Sequence, residues 1–128
     1  MLTATRTTTM LPASDPERAG QFYADRLGLK PTGVGPDGTR MFELGMGDAL
    51  GLMPAEQGSQ TQHTVLTFEV PDVESEVKEL EGRGVQFDDY DLPDLKTDNH
   101  VAVMGQDKAA WFHDTEGNIL CIHQVMGS

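Results

Sequence analysis

Four side chains in the second half of this 128-residue chain could do chemistry. His63, Cys121 and His123 are of types that bind zinc, neutral imidazoles with a thiolate making a soft ligand set. Cys121 could instead be a nucleophile if His63 or His123 lowered its pKa. Equally, it could be a small buried packing residue, a common fate of free cysteine. Glu69 could serve as a general base if a groove desolvated it. Trp111 could stack a flat ligand, since an aromatic wall gives large contact area at low entropic cost, or belong to the core. His100 and His113 read as strand-end or surface residues. The run Asp88–Asn99 carries five Asp but lacks the glycine and closing glutamate of a calcium loop, so it reads as a solvated loop, of the long irregular kind that often serves as a lid. The glycine-rich Gly45–Leu52 does not follow strand-then-helix order, which argues against a phosphate cradle.

Two helices and a set of strands must position these groups. Asp15 can cap a helix through Leu29, with Pro16 in its first turn, Gly28 at its end, and Ala19, Phe22, Tyr23 and Leu27 as its buried stripe. Asp72 begins a second helix with Val73, Val77 and Leu80 buried and Gly84 as its stop. Strand patterns lie at about Ala4–Ala13, Thr39–Leu44 and Ala49–Met53 around the first helix. Others lie at His63–Val70, His100–Met104, Lys108–His113 and Ile119–Val125 around the second. Pro36-Asp-Gly38 and Asp114-Thr-Glu-Gly-Asn118 have the residues of tight turns. The polar stretch Pro54–Gln62 reads as a linker. One unit is used twice, over about residues 1–55 and about 62–128.

Composition narrows the class. Twenty-one Asp and Glu against nine Lys and Arg give a formal charge of −12, which repels phosphate backbones and anionic lipid. Nucleic-acid and membrane partners are therefore not expected. The start of the chain has no apolar run like that of a secretory leader, and one cysteine forms no internal disulfide, so a cytoplasmic protein is expected.

Three stretches, "SDPERAGQFYADRLGL" (Ser14–Leu29), "FEVPDVESEVKELEGRGV" (Phe68–Val85) and "AWFHDTEGNIL" (Ala110–Leu120), carry a resemblance in their order and spacing. The sequence resembles the vicinal-oxygen-chelate superfamily, which includes glyoxalases, bleomycin-resistance proteins and extradiol dioxygenases. The resemblance implies an α+β fold of two βαβββ modules, whose curved mixed and antiparallel sheets surround a central groove. With strand alternation, that fold would turn Arg6, Thr8, Met10 and Pro12 toward the groove. The same rule turns His63, Val65, Thr67 and Glu69 of one later strand inward, and Ile119, Cys121 and His123 of another.

Metal-dependent members of the family place a His on the first strand of each module and a Glu on the last, holding a divalent ion. Residue by residue, the first His falls at Thr8 and the second at Val65. One Glu falls at Cys121, and the other falls in Ala49–Met53, which contains no carboxylate. The expectation is thus a metal-free, ligand-binding groove lined by Thr8, Met10, His63, Val65, Thr67, Trp111, Cys121 and His123. A small molecule would be sequestered there, by a chain expected to pair as a homodimer. The alternative is a lyase, isomerase or dioxygenase that uses acid–base residues among His63, Glu69 and Cys121, or a divalent metal at His63, Cys121 and His123.

Overall fold

The computed structural model describes Leu2 and residues 7–125. Its internal contacts divide the chain into two units, Met1–Gln60 and Thr61–Ser128. The first has the order strand, helix, three strands, the second inserts a short hairpin between its helix and its last three strands, and each forms a four-stranded mixed sheet with open edges.

In the first unit β1 (Thr8–Ala13) leads into α1 (Pro16–Gln21). The Asp15 carboxylate accepts the Arg18 N–H at 3.1 Å and so caps the helix. The helix then widens into a π-helical turn over Phe22–Arg26, and Gly28 at φ 73° redirects the chain. Ala19 and Tyr23 are buried as expected from their spacing, whereas Phe22 and Leu27 stay half-buried, because the wider turn rotates the stripe. Then come β2 (Lys30–Val34), β3 (Arg40–Glu43) and β4 (Ala49–Pro54), in the sheet order β1-β4-β3-β2. The strand pattern expected at residues 4–13 is present from Thr8, and its residues 3–6, Arg6 included, lie outside the described residues. Strand β2 has no counterpart in the sequence reading. All five of its residues are exposed, Pro31 sits in it and its register shifts beside Gly33, so it lacks the apolar alternation that signals a strand.

The second unit repeats the plan with β5 (Thr64–Glu69) and α2 (Val73–Gly82). After them come β8 (Ala102–Met104), β9 (Asp107–His113) and β10 (Ile119–Val125), in the order β5-β10-β9-β8. Val73, Val77 and Leu80 are buried, and Asp72 caps α2 by accepting the Ser75 N–H at 3.3 Å. The acidic loop is not wholly irregular, since β6 (Asp91–Leu92) and β7 (Leu95–Lys96) pair in it as a small hairpin.

In both sheets the last strand runs parallel to the first and antiparallel to the third. One face of each sheet packs on its helix: Leu11, Ala13, Phe42, Leu50 and Leu52 against Ala19 and Tyr23 in the first, and Ala110, Phe112, Leu120 and Ile122 with Val73 and Val77 in the second. The other face of each sheet carries no helix, and the candidate residues stand there.

Candidate ligand-binding faces

On the helix-free face of the second sheet, cross-strand pairing lines up Thr67, Cys121 and Trp111 in one row and Glu69, His123 and Ala109 in the next. Cys121 is 5% exposed. Burial pushes its thiol up to about 11, against smaller opposing effects of hydrogen bonds from the Thr67 side chain and the Ala110 backbone. Its Sγ donates to the Ile122 carbonyl at 3.4 Å. Such a thiol stays protonated at neutral pH, unlike the thiolate of an activated nucleophile.

The histidines serve other partners. Nδ1 of the exposed His63 lies 3.1 Å from its neighbour's carbonyl, that of Thr64, and Nε2 of His123 is 3.2 Å from Asp107. Among the described residues no three His, Cys, Asp or Glu side chains are gathered so that they could hold a metal ion. The set His63, Cys121 and His123 is therefore not assembled, because two of the three are engaged locally and the third is sealed. Glu69 is exposed at the end of β5, without the desolvation a base would need. His113 ends β9, whereas His100 lies in the turn before β8 at φ 74°, so the strand expected from residue 100 starts at Ala102. Both face carboxylates, His113 Nδ1 2.8 Å from Asp88 and His100 Nδ1 3.0 Å from Asp89.

Sequence reasoning missed Tyr90. It belongs to the acidic segment and packs edge-on against Trp111, ring centroids 5.6 Å apart and planes at 88°. Thr97 holds it in place: the Tyr90 N–H donates to Thr97 Oγ1 at 2.9 Å, and the Thr97 N–H donates to the Tyr90 carbonyl at 2.9 Å. Burial, with the charges of Asp88 and Cys121, raises the Tyr90 phenol above its ordinary value. The only available signal was an aromatic isolated in an otherwise polar loop. Half-buried Trp111 thus has a perpendicular aromatic neighbour and a small floor of Thr67 and Cys121.

The helix-free face of the first sheet holds Thr8 and Met10 on β1, Ala49, Gly51 and Met53 on β4, and Met41 and Glu43 on β3. Thr8 and Met10 are exposed. No carboxylate or imidazole stands on β1 or β4 there. The divalent-metal arrangement of the family's metal-dependent members is thus not matched by Thr8, Val65, the buried thiol of Cys121, or Ala49–Met53. Hard cations need oxygen and imidazole donors that these positions lack.

Comparison with solved structures places this architecture among known folds. TnmS3, an antibiotic binding protein from Streptomyces sp. CB03234, is 24% identical with a TM-score of 0.68, covering 98% of each chain. The fosfomycin resistance protein FosX from Listeria monocytogenes is 14% identical with a TM-score of 0.70, covering 99% of this chain and 97% of its own. Lactoylglutathione lyase from Agrobacterium tumefaciens is 19% identical with a TM-score of 0.68, covering 92% and 91%. At these identities the likeness is one of fold. No curated protein matches the chain in sequence. The sequence profile of the Glyoxalase/Bleomycin resistance protein/Dioxygenase superfamily matches residues 6–122. With its paired βαβββ units and that match over nearly its whole length, this chain belongs to the glyoxalase, bleomycin resistance and dioxygenase superfamily.

Proposed function

We propose that this protein binds a small organic molecule on a helix-free sheet face without a metal, and holds the molecule rather than transforming it. The observation that carries the reading is the chemistry of these faces. On the second sheet Trp111 and Tyr90 offer polarisable apolar contact beside a buried Cys121 thiol and a His123 paired with Asp107, and on the first sheet, taken by itself, Met10 and Met41 offer the same kind of contact. Pockets of this kind bind through apolar area with few polar contacts. Sequestration fits a superfamily that includes binding proteins, and TnmS3 is described as an antibiotic binding protein. The superfamily also contains enzymes, but a metal-dependent lyase, isomerase or dioxygenase needs a metal set, and among the described residues no three His, Cys, Asp or Glu side chains gather to hold one.

The reading extends to a cytoplasmic homodimer. The single cysteine is a free buried thiol, which suits a reducing compartment. Closed two-fold pairing is the common solution for such small domains, and Val103 and Met104 on edge strand β8 remain exposed. No helix among the described residues is long and apolar enough to cross a membrane.

Trp111 is the only tryptophan, so its emission reports occupancy of the second face directly. A panel of natural-product-like aromatics should include ligands that shift this emission and raise Tm, with mass spectrometry recovering each ligand unchanged. Stoichiometric zinc, manganese or nickel in untagged protein, a Tm lowered by chelator, or turnover of a bound compound would overturn the metal-free holding role. Sedimentation at twice the 14.0 kDa chain mass is expected for the dimer, and a single-chain mass at all concentrations would refute it.

A further inference from the structure

Gly51 sits in the interior of β4, where glycine normally weakens a strand through lost backbone entropy and packing. Its φ is not in the left-handed region, so the backbone does not require glycine there. What the missing side chain provides is space. A Cβ at this position would lie 2.8 Å from Met10 Sδ and 3.2 Å from Met41 Sδ, so two thioethers from the flanking strands drop over one glycine. By topology Gly51 is the counterpart of Cys121, each standing on the last strand of its module between the first strand and the third. The row Met10, Gly51, Met41 therefore matches the row Thr67, Cys121, Trp111.

Met10 is 45% exposed, and on the other side of the row Met41 walls a hollow of about 300 Å³ that Met10 and Gly51 do not line, with Gly33, Val34, Glu43, Asp48 and Ala49 among its other contributors. That volume is small for a ligand site. Methionine turns about three unbranched bonds at little cost and makes favourable sulfur contacts to ring edges, so the two thioethers over Gly51 can part and open that space toward the hollow without unpacking the sheet. The row itself has no polar side chain to meet a charge, and Glu43 and Asp48 repel anions at the rim.

Resting on the binding role proposed above, we infer that Met10, Gly51 and Met41 form a yielding subsite that seats an uncharged aromatic group of the ligand over Gly51. The test uses full-length protein carrying carbon-13 methyl-labelled methionine, titrated with naphthol, decahydronaphthol and naphthoate, with Tm and Trp111 emission read in parallel. Met46, fully exposed, is the internal control. Naphthol should move the Met10 and Met41 methyl signals and leave Met46 unchanged. Decahydronaphthol should bind at least about three-fold more weakly, the low end of what two sulfur–ring contacts contribute together, and naphthoate should bind more weakly because the row offers its charge no partner.

Met10→Leu with Met41→Leu keeps the volume but removes both sulfurs, and should weaken naphthol about three- to ten-fold. Gly51→Ala should weaken it further by pushing the thioethers aside, and if that variant misfolds, the leucine pair carries the test. Naphthol binding seen in Tm or Trp111 emission with still Met10 and Met41 signals overturns the subsite and leaves the binding role standing. Equal affinity for decahydronaphthol overturns the aromatic class. No binding of any of the three by any readout overturns both readings.

Discussion

At the scale of single residues, Cys121 decides most about chemistry. A nucleophile must spend time as a thiolate, and burial instead holds this thiol at about 11. Iodoacetamide should therefore label folded protein far more slowly than urea-unfolded protein at pH 8, as followed by intact mass; equal rates would contradict the sealed thiol. The same burial sets a pH dependence. Because the native pKa lies above the unfolded one, the stabilisation is complete below pH about 9 and is lost as pH rises toward about 11. Cys121→Ala should flatten this alkaline part of the stability profile measured by urea unfolding, with the remaining slope including that of the raised Tyr90 phenol. Asp114 is the structural counterpart. It is 6% exposed, and its Oδ1 accepts the N–H groups of Glu116 and Asn118, each at 2.9 Å. Its Oδ2 accepts from Asn118 Nδ2 at 2.9 Å. Asp114→Ala strands these donors and should lower stability by about 2 to 3 kcal/mol in denaturant titration.

At the scale of elements, α2 is fixed at its start from two directions. The Asp72 carboxylate takes the Ser75 N–H and hydroxyl, and the Gln124 side-chain carbonyl accepts the Val73 N–H at 2.9 Å, joining β10 to the helix. The Ser75 backbone bond first, then its hydroxyl, holds the Asp72 carboxyl below 3.8. Here the native pKa is depressed, so the stabilisation is present above pH about 3.8 and disappears as pH falls through the native value. The Tm difference between the parent and Asp72→Ala should be full at pH 6 and shrink on acidification; a gap constant to pH 2 would show that the carboxylate charge does not contribute. The hairpin of β6 and β7 illustrates another element-level effect. Its side chains are mostly exposed, yet it delivers Tyr90 to Trp111, so the acidic loop is a positioning device for one aromatic.

At the scale of the whole molecule, charge is divided unevenly. The unit Thr61–Ser128 has fourteen Asp and Glu against four Lys and Arg, and so carries ten of the twelve net negative charges. Lys108 pairs with Glu74 and Arg83 with Glu79, while Asp88, Asp89 and Asp107 each face a histidine. Self-repulsion of this kind opposes compactness and is screened within about 10 Å at 0.1 M salt. Raising sodium chloride from 0.01 to 0.3 M should therefore raise Tm, and a fall would mean that attractive pairs dominate. The same field disfavours anionic ligands on this unit.

The sequence by itself determined the repeated strand, helix and strand plan, because caps, apolar periodicity and turn residues are local. Asp15, Asp72, Gly28, Gly84 and the Asp114–Asn118 turn act on neighbours a few residues away. Only tertiary structure decided the rest. Strand β2 exists because β3 offers a partner to a segment without a pattern of its own. His123 is taken by Asp107 sixteen residues away, Tyr90 meets Trp111 across a loop, and Met10 and Met41 converge on Gly51 from strands about thirty residues apart in sequence. Burial of Cys121 and convergence of sulfurs are sums over distant chain segments, and no local pattern encodes which segments will meet.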